Sequence, residues 1–122
     1  MKIESALLPE NIRSLLDRAD LSLLRGKHGE ASTFFWKATE AAIEQAASAR
    51  GHKLRSLDYD DVEPFIDSLD QQLDPGVGLM AAYLITLEYQ RNSDGDLLDL
   101  EDVVFYQPVV HSFIIDLLAM AE

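Results

Sequence analysis

The sequence contains no cysteine, few basic residues and no long apolar run, and each shortage excludes a class of protein. Without cysteine there is no disulfide framework and no cysteine-ligated zinc site. No apolar run reaches the ~20 residues that a transmembrane helix needs. Residues 1–11 have one Lys and no apolar stretch of the length found in secretory signals. We therefore expect a cytoplasmic protein without membrane contact.

Positive charge is scarce, with 10 Lys and Arg against 22 Asp and Glu and a net charge of -12. Such a field repels phosphate backbones, so we expect no direct binding of nucleic acid over a broad surface. The one concentration of cations is a candidate basic patch made of Arg50, His52, Lys53 and Arg55. An alternative interpretation is that these cations complement the dipole at the C-terminus of a helix.

The apolar residues recur mainly at the spacings of three and four that are typical of helices. The chain has 122 residues, of which 48% are hydrophobic, and this is enough for one domain with its own core. Glu30–Arg50 carries apolar residues at spacings of three and four, bulky at Phe34 and Phe35 and then alanine, which predicts a central helix. No segment alternates as a strand does, and no repeat is present. We predict an all-α protein, a five-helix up-and-down bundle that forms a single domain over residues 1–122.

Proline, glycine and aspartate mark the predicted helix boundaries. Proline favours the first position of a helix, glycine follows the last, and aspartate caps the N-terminus. Only three residues separate the first helix from the second, so these two helices are predicted to form an antiparallel hairpin. The predicted boundary residues are Pro9, Gly26, Gly51, Asp60 or Asp61, Asp74, Arg91 and Asp99.

The fourth and fifth helices carry more apolar surface than we expect a small bundle to bury. Leu79–Leu87 is apolar on most of its circumference, and Val103–Leu118 is the most hydrophobic segment of the chain. Such an excess predicts that a second subunit covers part of it. Pro108 removes one backbone hydrogen bond and predicts a kink at about Val104–Pro108. The candidate interface residues are Trp36, Leu79, Tyr83, Leu87, Phe105, Val109 and Phe113.

No pattern in the sequence indicates catalysis or metal binding. The three histidines, His28, His52 and His111, stand apart from one another, and no Glu-x-x-His motif is present. No serine lies in a strand-turn-helix elbow, and the glycines do not form a phosphate-binding pattern. We expect no catalytic residue, no metal and no cofactor.

The first hairpin and its turn carry a family resemblance. After Gly26 and a short turn, residues 29–54 read GEASTFFWKATEAAIEQAASARGHKL, and this arrangement resembles the HEPN-like superfamily of small helical bundles. The later predicted helices fit as well, so the resemblance spans roughly Asn11 to Ala121. Ribonucleases of that family carry an Arg separated by four to six residues from a His near the end of the fourth helix. Arg91 stands in the corresponding place, but the positions open to that His hold Asp96, Leu97 and Leu98.

The resemblance therefore implies a non-catalytic HEPN-like module. It implies a protein that forms a homodimer, binds a protein partner and belongs to a toxin-antitoxin or defence-type system. Two alternatives stay open. One is an acidic inhibitor or antitoxin whose carboxylates take the place of nucleic-acid charge. The other is a divergent ribonuclease that uses Arg91 with a displaced histidine such as His111.

Overall fold

The computed structural model describes residues 8–72, 78–95 and 100–121, which form five α-helices and contain no strand. The prediction of an all-α five-helix bundle is confirmed. The helices are α1 (Glu10–Leu24), α2 (His28–Ala49), α3 (Tyr59–Asp70), α4 (Leu79–Gly95) and α5 (Leu100–Ala121).

Helix α2 lies at the centre of the bundle. Helices α1, α4 and α5 all pack against it, whereas α3 packs on α4. Phe35 is fully buried near the start of α2, and Ala38, Ala42 and Ala46 continue the buried face with no exposed surface. Because alanine is small, neighbouring helices approach closely along this half. The predicted central helix is thus confirmed, and its first residue is His28.

Two glycines end the first two helices as predicted. Gly26 and Gly51 have φ angles of 73° and 68°, in the left-handed region that glycine adopts without strain. After α2, the His52 N–H donates to the carbonyl oxygen of Ala47 at 2.9 Å, which satisfies one of the unpaired carbonyls of the last turn.

The start of α3 differs from its prediction. Neither Asp60 nor Asp61 caps this helix, because both already lie in its first turn. Instead the Ser56 hydroxyl donates to Asp61 Oδ2 at 2.6 Å and accepts the Asp58 N–H at 3.1 Å, so this serine organises the entry to the helix. Pro64 lies inside α3.

The ends of α4 also differ from their predictions. The helix begins at Leu79, whose N–H donates to Asp70 Oδ1 at 2.8 Å, so the last residue of α3 supplies a partner for the first turn of α4. It continues to Gly95, beyond the predicted end. The predicted caps Asp74 and Asp99 lie outside the described residues.

Helix α5 is the most hydrophobic element. By length and composition alone, Glu101–Met120 is apolar enough to cross a membrane, with a mean hydropathy of 1.6. In the bundle, one side of this helix enters the core through residues such as Val103, Val110 and Leu117. Pro108 lies inside α5, and the kink at this position stays a prediction.

Candidate interaction surface between helices α4 and α5

Four of the seven candidate interface residues belong to the core of the chain itself. Leu79 and Phe113 are 1% exposed, Tyr83 is fully buried and Trp36 is 7% exposed. They lie on the inward sides of α2, α4 and α5, although Leu79 and Phe113 also line a groove between α4 and α5. The assignment of Trp36 and Tyr83 to an interface is therefore corrected.

Phe105 is the candidate interface residue whose side chain is mostly exposed. Its side chain is 75% exposed, and the neighbouring Val104 is 47% exposed. Of the other two candidates, Leu87 is half-buried against the core, and Val109 is half-buried. An aromatic ring that faces water on a helix of this hydrophobicity is the kind of residue that anchors protein interfaces.

A groove lies between α4 and α5 on the side of Phe105. Its volume is about 290 Å³, just below the range of roughly 300–1,000 Å³ typical of pockets for small ligands. Phe105 precedes Pro108 by three residues and Val109 by four, so it shares a helix face with two residues of the lining. We call this groove together with Phe105 the α4–α5 face. The groove is lined by Leu79, Ala82, Pro108, Val109, Ser112, Phe113 and Asp116.

The charge of the chain is divided between its two halves. After Arg55 the sequence contains a single Lys or Arg, Arg91, and this residue pairs with Glu88 on the same helix at 3.5 Å. Although the acidic residues are spread along the chain, the basic residues are not, and this division was missed by considering net charge alone. The side of the bundle built from α3, α4 and α5 is therefore acidic. The described carboxylates of α4 and α5 are Glu88, Glu101, Asp102 and Asp116.

The candidate basic patch is dispersed by contacts within the chain. The Arg50 guanidinium donates to the carbonyl oxygen of Met120 from Nη2 at 2.6 Å and from Nε at 3.2 Å. A cation at a helix C-terminus complements the helix dipole. The alternative interpretation of the patch is thus supported for this residue, which follows the last residue of α2 and whose guanidinium contacts the C-terminus of α5.

The remaining members of the patch do not form a single cationic site. The His52 ring lies 4.9 Å from the ring of Phe65, as measured between centroids. Lys53 and Arg55 are exposed. An open pocket of about 410 Å³ contains His52 and Lys53, but Glu44 also lines it, which weakens its attraction for an anion.

Asp20 joins α1 to α5. Its Oδ1 accepts a hydrogen bond from Gln107 Nε2 at 2.7 Å and lies 3.1 Å from His111 Nε2. These partners stand 87 and 91 residues away along the chain, so no local pattern pointed to them. The two residues of the ribonuclease alternative thus contact different carboxylates, since His111 bonds to Asp20 and Arg91 pairs with Glu88.

Two buried tyrosines differ in how their hydroxyls are satisfied. The Tyr89 hydroxyl donates to the carbonyl oxygen of Val103 at 3.0 Å, and burial raises its pKa. The Tyr83 hydroxyl has no hydrogen-bond partner among the described residues. Burial, and after it the neighbouring Tyr59 and Glu63, raise the pKa of Tyr83 to about 12. Burial therefore extends to more alkaline pH the range over which both hydroxyls stay neutral.

Within the described part of the chain, no three His, Asp or Glu side chains converge in a way that suits a metal ion. No family model, no curated protein and no solved structure matches this chain. Among the described residues, the α4–α5 face is the surface that combines an exposed aromatic side chain with a groove.

Proposed function

We propose that this protein is a non-catalytic interaction module of the HEPN-like kind, which holds a partner protein on its α4–α5 face. The observation that carries the proposal is Phe105, which is 75% exposed and shares a face of α5 with residues that line the groove. Burying an aromatic side chain of this kind contributes about 1.5–3 kcal/mol to association. The HEPN-like part of the proposal rests on the sequence resemblance.

The polar contacts support a non-catalytic module over a divergent ribonuclease. A general base needs a nitrogen or oxygen that is within reach of the substrate. Here Arg91 pairs with Glu88 on α4 and His111 contacts Asp20 on α1, so the two side chains are held apart by different carboxylates, and the acidic surface around Arg91 repels RNA. We propose further that the protein acts in the cytoplasm, without a cofactor, in a toxin-antitoxin or defence-type system. This part rests on the family resemblance.

A homodimer is a second use of the same face. Phe105 and the groove share one side of α5, so a two-fold axis across this helix lets Phe105 of each copy enter the groove of the other. The net charge of -12 per copy opposes this association. Such a dimer therefore strengthens when salt screens the charge. Light scattering at ~50 mM and ~500 mM salt tests it, and a monomer at both salt concentrations rules it out.

The interaction module is tested by affinity capture with matched variants. Wild type, Phe105→Ser and Leu24→Ser are tagged and used to recover partners from the source cell, and the proteins recovered are compared by mass spectrometry. Leu24 is the control because it is 85% exposed on α1, away from the groove. We expect a stoichiometric protein that wild type and Leu24→Ser recover and Phe105→Ser loses. Equal recovery by all three contradicts the proposed function.

A further inference from the structure

We propose that the partner segment held by the α4–α5 face is a cationic amphipathic helix. This inference rests on the proposed function and specifies the chemistry of the partner. It combines the shape of the groove with the division of charge along the chain.

The shape of the groove favours a helix. Two packed helices leave a furrow between them, and an amphipathic helix fills such a furrow with apolar residues spaced by three and four. A volume of about 290 Å³ accommodates apolar side chains of a docked helix. Phe105 precedes Pro108 and Val109 by about one turn on the same face of α5, so a helix docked in the groove also contacts its ring.

The charge around the groove selects a cationic helix. Asp116 lines the groove, and Glu101 and Asp102 are exposed near the other end of α5. Lys or Arg at the borders of a docked helix interact favourably with these carboxylates, whereas acidic residues there are repelled. A second copy brings the same carboxylates to the face, and nucleic acid brings phosphates. Charge complementarity therefore favours a basic partner over both.

Three synthetic peptides separate the apolar contribution from the electrostatic one. Each is fluorescein-labelled and about 18 residues long, enough for roughly 27 Å of helix. The first has Leu on one helical face and Lys on the other; the second replaces Lys with Glu; the third replaces Leu with Ser. In fluorescence anisotropy with the full chain, we expect the Leu/Lys peptide to bind at least about tenfold tighter than either control. Its binding weakens as salt rises.

Variants of the protein locate the binding. Phe105→Ser removes the exposed ring, and Ala82→Trp fills the groove, so each is expected to weaken binding of the Leu/Lys peptide at least about tenfold. Leu24→Ser is expected to bind as wild type does. Ser112→Trp replaces Ala82→Trp if circular dichroism shows that the latter is not folded. Because Phe105 and Ser112 are exposed, changes there leave the fold intact.

Several outcomes overturn the proposal. If the Leu/Lys and Leu/Glu peptides bind equally well, the partner segment is not selected for positive charge. If the Ser/Lys peptide binds as tightly as the Leu/Lys peptide, the attraction is nonspecific electrostatics and the groove plays no part. If the Leu/Lys peptide binds Phe105→Ser and Ala82→Trp as tightly as wild type, its binding site lies elsewhere. Self-association that requires Phe105 and excludes the peptide makes a second copy the occupant. If the peptide fails to bind but Phe105→Ser still loses a cellular partner, the proposed function stands and only the cationic assignment fails.

Discussion

The guanidinium of Arg50 and the carbonyl oxygen of Met120 join the C-terminal ends of α2 and α5. Two hydrogen bonds, of 2.6 and 3.2 Å, converge on this oxygen. The last four carbonyls of a helix have no partner within it, so a charged donor at this place satisfies an otherwise unpaired acceptor. The contact fixes the end of the most hydrophobic helix to the central one.

Replacing Arg50 with Ala is therefore expected to lower the free energy of unfolding by about 1 kcal/mol, a modest value because the contact is exposed. Urea denaturation followed by circular dichroism measures the change. Arg55→Ala is the control, since Arg55 is an exposed cation of the same loop. A loss of stability that is equal in both variants means that general charge, and not the contact with Met120, is responsible.

Replacing Tyr83 or Tyr89 with Phe is expected to change the stability of the protein in opposite directions. Tyr83→Phe removes a buried hydroxyl that has no partner among the described residues, so we expect stability to rise by about 1 kcal/mol. Tyr89→Phe removes the bond to Val103 and is expected to lower stability by about 1 kcal/mol. Thermal unfolding of the two variants beside wild type measures the difference. Destabilisation of both by the same amount contradicts the distinction.

The raised pKa of Tyr83 also leads us to expect that the protein loses stability at alkaline pH. Its pKa in the folded protein is raised from 10.0 to about 12, mainly by burial. Between these values the unfolded chain releases the proton and the folded chain keeps it, so stability falls as pH rises through this range. Below pH of about 10 the effect is absent. Denaturation at steps from pH 9 to pH 12 is expected to show a shallower fall for Tyr83→Phe than for wild type.

The link between α1 and α5 is open to a double-mutant cycle. Asp20→Ala leaves the amide of Gln107 and the ring of His111 without their shared acceptor, and we expect it to cost about 1–3 kcal/mol. Combined with His111→Ala, it is expected to show a coupling energy of about 0.5–1 kcal/mol. Asp17→Ala, at an exposed position of the same helix, serves as control. Strict additivity of the two changes shows that the contact contributes nothing to stability.

The fold was predictable from sequence to the extent that it depends on local periodicity. The central helix and its closing Gly51 follow from spacing and from backbone preference, and both are confirmed. The cap of α3 was wrong because Ser56 engages Asp58 and Asp61 from outside the helix. The start of α4 depends on a contact between two helices, through Asp70, that no local pattern reveals.

The candidate surface was predictable in place but not in detail. Hydrophobicity singled out the fourth and fifth helices, yet it does not separate Phe113, which faces the core, from Phe105, which faces water. That distinction depends on the angle at which α5 packs on its neighbours. The uneven distribution of charge was visible in the sequence, because no Lys or Arg occurs between Arg55 and Arg91.

Ala38, Ala42 and Ala46 have a consequence for how this sequence can diverge. All three are fully buried where helices pack against α2, and a larger side chain there forces the helices apart. Leucine or valine at the surface is replaced at little cost, but these positions admit only glycine, alanine or serine without rearrangement. Distant relatives are therefore expected to keep small residues at intervals of four along their second helix, even where every other resemblance to this chain has disappeared.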